Sequence, residues 1–434
     1  MTSYLLERAW IDGAVHDEVL VVIGDGRFTT VETGAEAGGA ERVPGLTLPG
    51  LANCHSHAFH RALRGRTQRE RGTFWTWRDQ MYAVAGRLDP DSYHALARAT
   101  YREMLAAGIT TVGEFHYLHH QPDGTPYDNP NAMGHALVAA ARDTGMRITL
   151  LDTCYLSSGF GEPPTGVQVR YDDGSAAAWA ERVAALDEPD GVVVGAAVHS
   201  VRAVPRDALP TVVETAAGRP LHAHLSEQVA ENEACLAAYG VTPTRLLHDA
   251  GALGPRTSAV HATHLTDEDV ALLGGARTWA GLCPTTERDL GDGIGPSRRL
   301  HEAGSRLTLG SDSHAVIDLF EEMRAVELDE RLATRRRGHW TADELLVAAT
   351  RHGHASLGVA DAGTIAVGAR ADLVTLDLAS PRTAGTGAGA ETAVFAAVAE
   401  DVTRVVVDGR VVVRQGDRRE IGRELAAAIE GVWA

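Results

Sequence analysis

The chain has 434 residues, of which 44% are apolar and 23% charged. That is the make-up of an ordinary globular protein, long enough for one large domain and a smaller one. Its net charge of −18 argues against non-specific nucleic-acid binding, which needs a basic footprint, and all 40 basic residues are arginine. With no lysine there can be no Schiff base, no lysine amine in catalysis and no carboxylated lysine bridging two metals. The four cysteines, Cys54, Cys154, Cys235 and Cys283, form no CxxC pair, so neither a disulfide framework nor a zinc ribbon is expected. The opening "MTSYLLERAWIDG" has no basic segment followed by a long apolar one, and no run approaches the roughly 18 apolar residues of a membrane span. A cytoplasmic protein with no nucleic-acid or membrane partner is the expectation.

In chain order, residues 1–47 read as strands and turns ("AWIDGAV", "VLVVIGDGRF"). After them, "LPGLANCHSHAFHRAL" places three histidines within six residues behind an apolar run. "LDPDSYHALARATYREMLAAG" opens with Asp89-Pro90, a helix-start signal. It carries Tyr93, Leu96, Ala97, Tyr101, Met104 and Leu105 at helical spacing, and stops at Gly108. Runs of strand length follow: "ITTVGEFHY", "RITLLDTCYL", "GVVVGAAVHS", "PLHAHL", "SAVHATHL", "TWAGLCP" and "RLTLGSDS". Helix-like stretches such as "ALPTVVETAA", "PTRLLHDAG" and "DEDVALLGG" separate them. Such alternation predicts a parallel α/β architecture, and near-continuous apolar strands fit a sheet covered on both faces. Residues 362–418 return to strands and turns, with a Gly/Ala-rich loop at "AGTGAGAE" and a helix over 419–434. The two chain ends are expected to pair into one small, β-sandwich-like domain beside a domain spanning 48–361.

Polar residues cluster at strand ends: Glu114 and His116, His199, His222 and His224, His261 and His264, and Asp312. Both a (β/α)8 barrel and a doubly wound sheet build sites there, though neither GxGxxG nor GxxxxGK[ST] is present. In an extended segment side chains alternate, so His55 and His57 project to one side and can grip one metal ion. A catalytic zinc needs further protein ligands and one open position, and His224 and Asp312 are the strand-end suppliers.

The ordered set "PGLANCHSHAF", "HAHLSEQ", "HATHL", "CPTTERDLGDG" and "LGSDSHA" resembles the amidohydrolase superfamily in its mononuclear zinc deaminase branch. Within that branch, "FWTWRDQMY", "GEFHYLHH", "HSVRAV" and "LCPTTERDLGDGIGP" are similar to the subgroup that deiminates N-formimino-L-glutamate in histidine degradation. The resemblance covers nearly the whole chain. It implies a (β/α)8 TIM-type barrel, a homodimer, and one Zn2+ per chain on His55, His57, His224 and Asp312. It also implies Glu227 as proton shuttle, His261 facing the activated water and Asp312 as proton acceptor. A small-molecule dicarboxylate would meet Arg202 with His199 beside it, since arginine forks suit carboxylates. Tyr117 and Arg78 complete the set by resemblance. The remaining histidines read as structural or surface groups, and His222 as a packing partner. One departure stands out: the subgroup usually carries glutamine where this chain has His60, so His60 is expected to contact substrate rather than metal. The alternatives are a purine or pyrimidine ring deaminase and an inactive binding barrel. The arginines disfavour the first and the complete ligand set the second.

Overall fold

The computed structural model describes residues 1–68, 71, 72 and 74–434. The side chains of Phe74 and Trp75, part of the "FWTWRDQMY" motif, lie outside that description. Four strands open the chain: β1 (Thr2–Ile11), β2 (Ala14–Gly24), β3 (Arg27–Glu32) and β4 (Glu41–Pro49). Eight follow: β5 (Leu51–Ser56), β6 (Ile109–His116), β7 (Arg147–Cys154), β8 (Val192–Val198), β9 (Leu221–Leu225), β10 (Thr257–His261), β11 (Trp279–Leu282) and β12 (Leu307–Leu309). The last three are β13 (Leu373–Leu376), β14 (Val402–Val407) and β15 (Arg410–Arg414).

Strands β5 to β12 lie in sequence order in one eight-stranded parallel sheet. The sheet curls until its ends meet: a parallel bridge joins Ser56 to Asp312, and Asp312 N–H donates to His55 O at 3.0 Å. Asn53 adds to the closure, its Oδ1 accepting Ser311 N–H at 2.9 Å and its Nδ2 donating to Ser311 Oγ at 2.7 Å. The result is a (β/α)8 barrel. Every position of β6 and β7 is buried, polar residues such as Thr111, Glu114, Thr149 and Asp152 included, as a sheet covered on both faces requires. The helix Pro90–Ala106 starts where Asp89 caps Ser92 N–H at 2.8 Å, with Pro90 at its first position. It buries Tyr93, Leu96, Ala97, Tyr101, Met104 and Leu105, and Gly108 at φ +90° turns the chain out of it.

The chain ends form a separate seven-stranded mixed sheet, order β15-β14-β13-β4-β1-β2-β3, in which β1 and β4 pair in parallel. Tyr4, Leu6, Val19, Val21, Phe28 and Val43 make its core. Gly50 alone separates the two sheets. A Cβ there would come within 2.3 Å of Thr110 Oγ1, so only glycine lets the chain pass so close to the barrel.

Candidate active site

The end of β5 delivers His55, and the extended residue that follows it delivers His57, both from the face that looks into the barrel mouth. His224 comes from β9 and Asp312 from the turn after β12. Their donor atoms converge: His55 Nε2 lies 3.0 Å from His224 Nε2 and 3.4 Å from Asp312 Oδ1, and His57 Nε2 lies 3.2 Å from the same oxygen. Asp312, His261 and Ser226 hold φ of +36°, +67° and +51°. Such left-handed backbone in non-glycine residues costs energy and is kept where surrounding structure fixes it, here at three strand ends. Gly310 permits the approach of the last strand to the first, since a Cβ would sit 2.8 Å from His55 Cβ.

The donor chemistry fits a cation. His57 Nδ1 meets Phe115 O at 3.0 Å, and a carbonyl only accepts, so Nδ1 carries the proton. In the neutral ring the Nε2 lone pair then faces a carboxylate oxygen, acceptor against acceptor, which a cation between them resolves. Burial lowers His55 to about 4, against the pull of Asp312, and holds His224 well below the usual histidine range. Neutral imidazoles and an ionised carboxylate are what a divalent metal requires. Burial opposes ionisation of Asp312, but the histidines around it, His55, His57 and His261, outweigh that and hold its carboxyl well down.

Around this cluster stand the groups able to move protons. His261 Nε2 is 3.9 Å from both Glu227 Oε1 and Asp312 Oδ2. Its Nδ1 is 3.4 Å from Glu287 Oε1, which also accepts Cys283 N–H at 3.0 Å. Burial would lower His261, but Glu227, Glu287 and Asp312 together raise it to about 10. Burial raises the carboxyl of Glu227 above its usual value, only partly offset by His261.

The cluster opens into a cleft of about 690 Å3, counting its solvent mouth. His60, Arg78, Tyr117, His199, Arg202, Glu227 and His261 all line it, so the sequence-predicted site residues meet in one place. Among the described residues Arg202 has no hydrogen-bond or ion-pair partner, whereas His60 Nε2 lies 3.1 Å from Tyr117 OH. His222 is buried and does not line the cleft.

His116 and His119, read from sequence as structural or surface groups, form a second buried group with Asp152. There Arg182 already holds Asp152 through two bonds of 2.8 and 2.9 Å, and Trp179 Nε1 adds a third at 3.0 Å, so a guanidinium supplies the positive charge. Sequence reasoning missed Glu287, Tyr82, Tyr155, Gln168 and Tyr171. Glu287 sits in the quoted "CPTTERDLGDG" motif, Tyr82 closes the quoted "FWTWRDQMY" and Tyr155 lies in the quoted run "RITLLDTCYL", while Gln168 and Tyr171 come from the unquoted segment "GVQVRY".

Eight parallel strands with imidazoles and carboxylates gathered at their C-terminal ends define a (β/α)8 barrel with a candidate metal site at its mouth. The amidohydrolase family model matches residues 46–412. Formimidoylglutamate deiminase of Pseudomonas aeruginosa is 38% identical over 98% of this chain and 97% of its own. The 8-oxoguanine deaminase of the same organism is 30% identical over 88% of this chain and 85% of its own. An amidohydrolase crystal structure from Brucella melitensis superposes with a TM-score of 0.92 at 34% identity, covering 100% of both chains. The chain belongs to the amidohydrolase family and is a hydrolase of C–N bonds. Among the described residues no helix is long and apolar enough to cross a membrane.

Proposed function

We propose that this protein is a zinc-dependent deiminase that converts N-formimino-L-glutamate and water to N-formyl-L-glutamate and ammonia, a step of histidine degradation. The observation that carries the reading is Arg202, a guanidinium that lines the cleft holding the metal-ligand cluster and has no hydrogen-bond or ion-pair partner among the described residues. A dicarboxylate substrate can pair with this guanidinium bidentately, and Arg78 lines the same cleft for the second carboxylate. The relative named formimidoylglutamate deiminase, similar over almost the full length, supports the same substrate.

His55, His57, His224 and Asp312 are the residues that would hold one zinc ion. When bound, zinc acidifies water to a pKa of about 7 and so supplies a nucleophile at neutral pH. Asp312 divides its labour: Oδ1 faces His55 and His57, while Oδ2 is turned towards His261 and is free to take the proton of the attacking water. Glu227 sits 3.9 Å from the ring of His261, and its raised carboxyl can hold a proton and pass it to the departing nitrogen. His261, held by Glu287, donates to charge developing at the tetrahedral carbon. His199, Arg202, Arg78, Tyr117 and His60 orient the glutamate portion. The cytoplasm and a homodimer are the setting that the family resemblance implies.

The test is ammonia release by zinc-loaded protein offered N-formimino-L-glutamate beside guanine, cytosine and adenosine, with metal analysis of the same sample. Turnover of the linear amidine alone, with one zinc per chain, is expected. Preferential turnover of a ring would establish the deaminase alternative that the tyrosines of the cleft could serve.

A further inference from the structure

Three side chains of the cleft wall form a hydrogen-bonded unit that the reaction outlined above does not use. Gln168 Nε2 lies 2.7 Å from the hydroxyl of Tyr155 and 3.1 Å from that of Tyr82. The other end of the amide fixes its orientation. Gln168 Oε1 is 3.2 Å from the backbone N–H of Thr165, which can only donate, so the oxygen must face Thr165 and the NH2 group the tyrosines. An amide nitrogen carries two hydrogens, and here each is committed to a phenol oxygen. Both phenols are therefore acceptors in this unit, and each keeps its own O–H proton for another partner.

Among the described residues neither hydroxyl has a second neighbour at hydrogen-bond distance, and both tyrosines line the cleft. The same cleft holds Arg78 and Arg202, and both guanidiniums act electrostatically on both phenols. Two hydroxyl donors beside two cations form a surface for a group that only accepts. An ionised carboxylate is such a group, offering about four lone-pair sites on two oxygens.

We propose that Tyr82 and Tyr155 form a hydroxyl-donor subsite that, with the neighbouring arginines, receives a carboxylate of the substrate, and that Gln168 is the positioning residue aiming both protons into the cleft. The inference rests on the dicarboxylate reading given above, and it adds the neutral donors that accompany the guanidiniums.

The experiment uses the zinc-loaded full chain and two readouts: KM and kcat for N-formimino-L-glutamate, and calorimetric binding of glutarate, a dicarboxylate with nothing to hydrolyse. The variants are Tyr82→Phe, Tyr155→Phe, the two combined, and Gln168→Glu in both the wild-type and the double-phenylalanine background. Each phenylalanine removes a single oxygen and is expected to weaken glutarate and raise KM by about tenfold, the usual worth of a hydrogen bond to a charged group, with the loss falling on KM rather than kcat. Gln168→Glu replaces two donors with an acceptor that draws both phenol protons out of the cleft. Its added charge repels a carboxylate in either background, but the reversal of the protons acts only where the hydroxyls exist. Its cost is therefore expected to be greater in the wild-type background. Phenylalanine variants that bind glutarate and substrate as the wild type does would overturn the subsite, and an equal cost of Gln168→Glu in both backgrounds would remove its positioning role. A wild type inert towards N-formimino-L-glutamate, yet binding glutarate through these tyrosines, would sink the deiminase reading and leave the subsite standing. A wild type that binds no glutarate would sink the subsite.

Discussion

Glu114 lies at the C-terminal part of β6, where its Oε1 accepts Ala58 N–H at 2.6 Å and its Oε2 accepts Ser56 Oγ at 2.8 Å. It thereby grips the chain on both sides of His57. Burial pushes its carboxyl up to about 8 in spite of those donors. A folded-state pKa above the ordinary value of 4.5 means that folding favours the protonated form. The associated stability is complete below about pH 4.5 and is lost as pH rises through about 8. Glu114→Gln copies the protonated form, since its oxygen can still accept from Ala58 while its nitrogen donates to Ser56. Urea unfolding at pH 6 and pH 9 is expected to show the wild type losing stability over that interval and the variant losing less; equal losses would refute it. His60 offers a second check at the same scale. One of its nitrogens meets Tyr117 and the other is buried with no partner among the described residues, while its ring centroid lies 4.5 Å from that of His57. With Nε2 engaged by Tyr117, His60→Gln is expected to keep full metal content and most activity. His60→Ala should keep the metal but lose about 1–3 kcal/mol in kcat/KM through an unpaired buried partner. Loss of metal in either variant would make His60 a ligand.

At the scale of elements, the cleft depends on how its loops are fastened, and Arg170 fastens three. From the short 3-10 turn Gly166–Tyr171 its buried guanidinium donates to His120 O at 2.9 Å, to Leu88 O at 2.7 Å and to Ala85 O, joining the loop after β6 to the end of the helix Phe74–Ala85. The same turn carries Gln168 and Tyr171 into the cleft. Arg170→Met would strand three buried carbonyls, each at a cost of about 1–3 kcal/mol. Faster proteolysis within residues 117–130 and 155–175, together with a raised KM, is expected before any loss of the barrel's own cooperativity. Unchanged proteolysis would show that other contacts hold these loops. None of this was legible in "GVQVRY", whose alternation of apolar and polar residues is the pattern of a strand, whereas the segment is a 3-10 turn that buries Gln168 and Arg170. His55, His57, His224 and Asp312 were legible because a polar residue ending an apolar strand is conspicuous, and because alternation along an extended chain fixes the direction of a pair two residues apart. Helix Pro90–Ala106 was legible from local chemistry at both ends. The parallel pairing of β1 with β4 at the centre of the small sheet was not, since strand order depends on contacts distant in sequence.

For the whole molecule the question is what joins the small sheet to the barrel, and the answer lies at the end remote from the active site. Arg147 opens β7 at the N-terminal face of the barrel, the face whose residues serve stability rather than chemistry. Its guanidinium is buried and donates to Asp372 Oδ2 at 2.8 Å, to Asp408 Oδ1 at 2.9 Å and to Thr111 Oγ1 at 2.9 Å. Asp372 immediately precedes β13 and Asp408 turns the chain between β14 and β15, so one barrel side chain holds two parts of the other sheet. Asp372 is itself held from both units: its carbonyl accepts Gly50 N–H at 3.1 Å and its Oδ1 accepts Asp408 N–H at 2.9 Å. Removing the cation alone leaves a buried carboxylate without its partner, which typically costs about 3–5 kcal/mol, more than the pair itself contributes. Arg147→Met is therefore expected to lower the unfolding free energy by that amount, while kcat/KM of the folded fraction stays as it was. Combining it with Asp372→Asn should cost less than the sum of the two single changes, because the second removes the charge the first has stranded. Denaturant unfolding followed by tryptophan fluorescence and by activity measures both claims. Strict additivity, or a loss of kcat/KM in the intact protein, would show that this face is not the independent joint its hydrogen bonds describe.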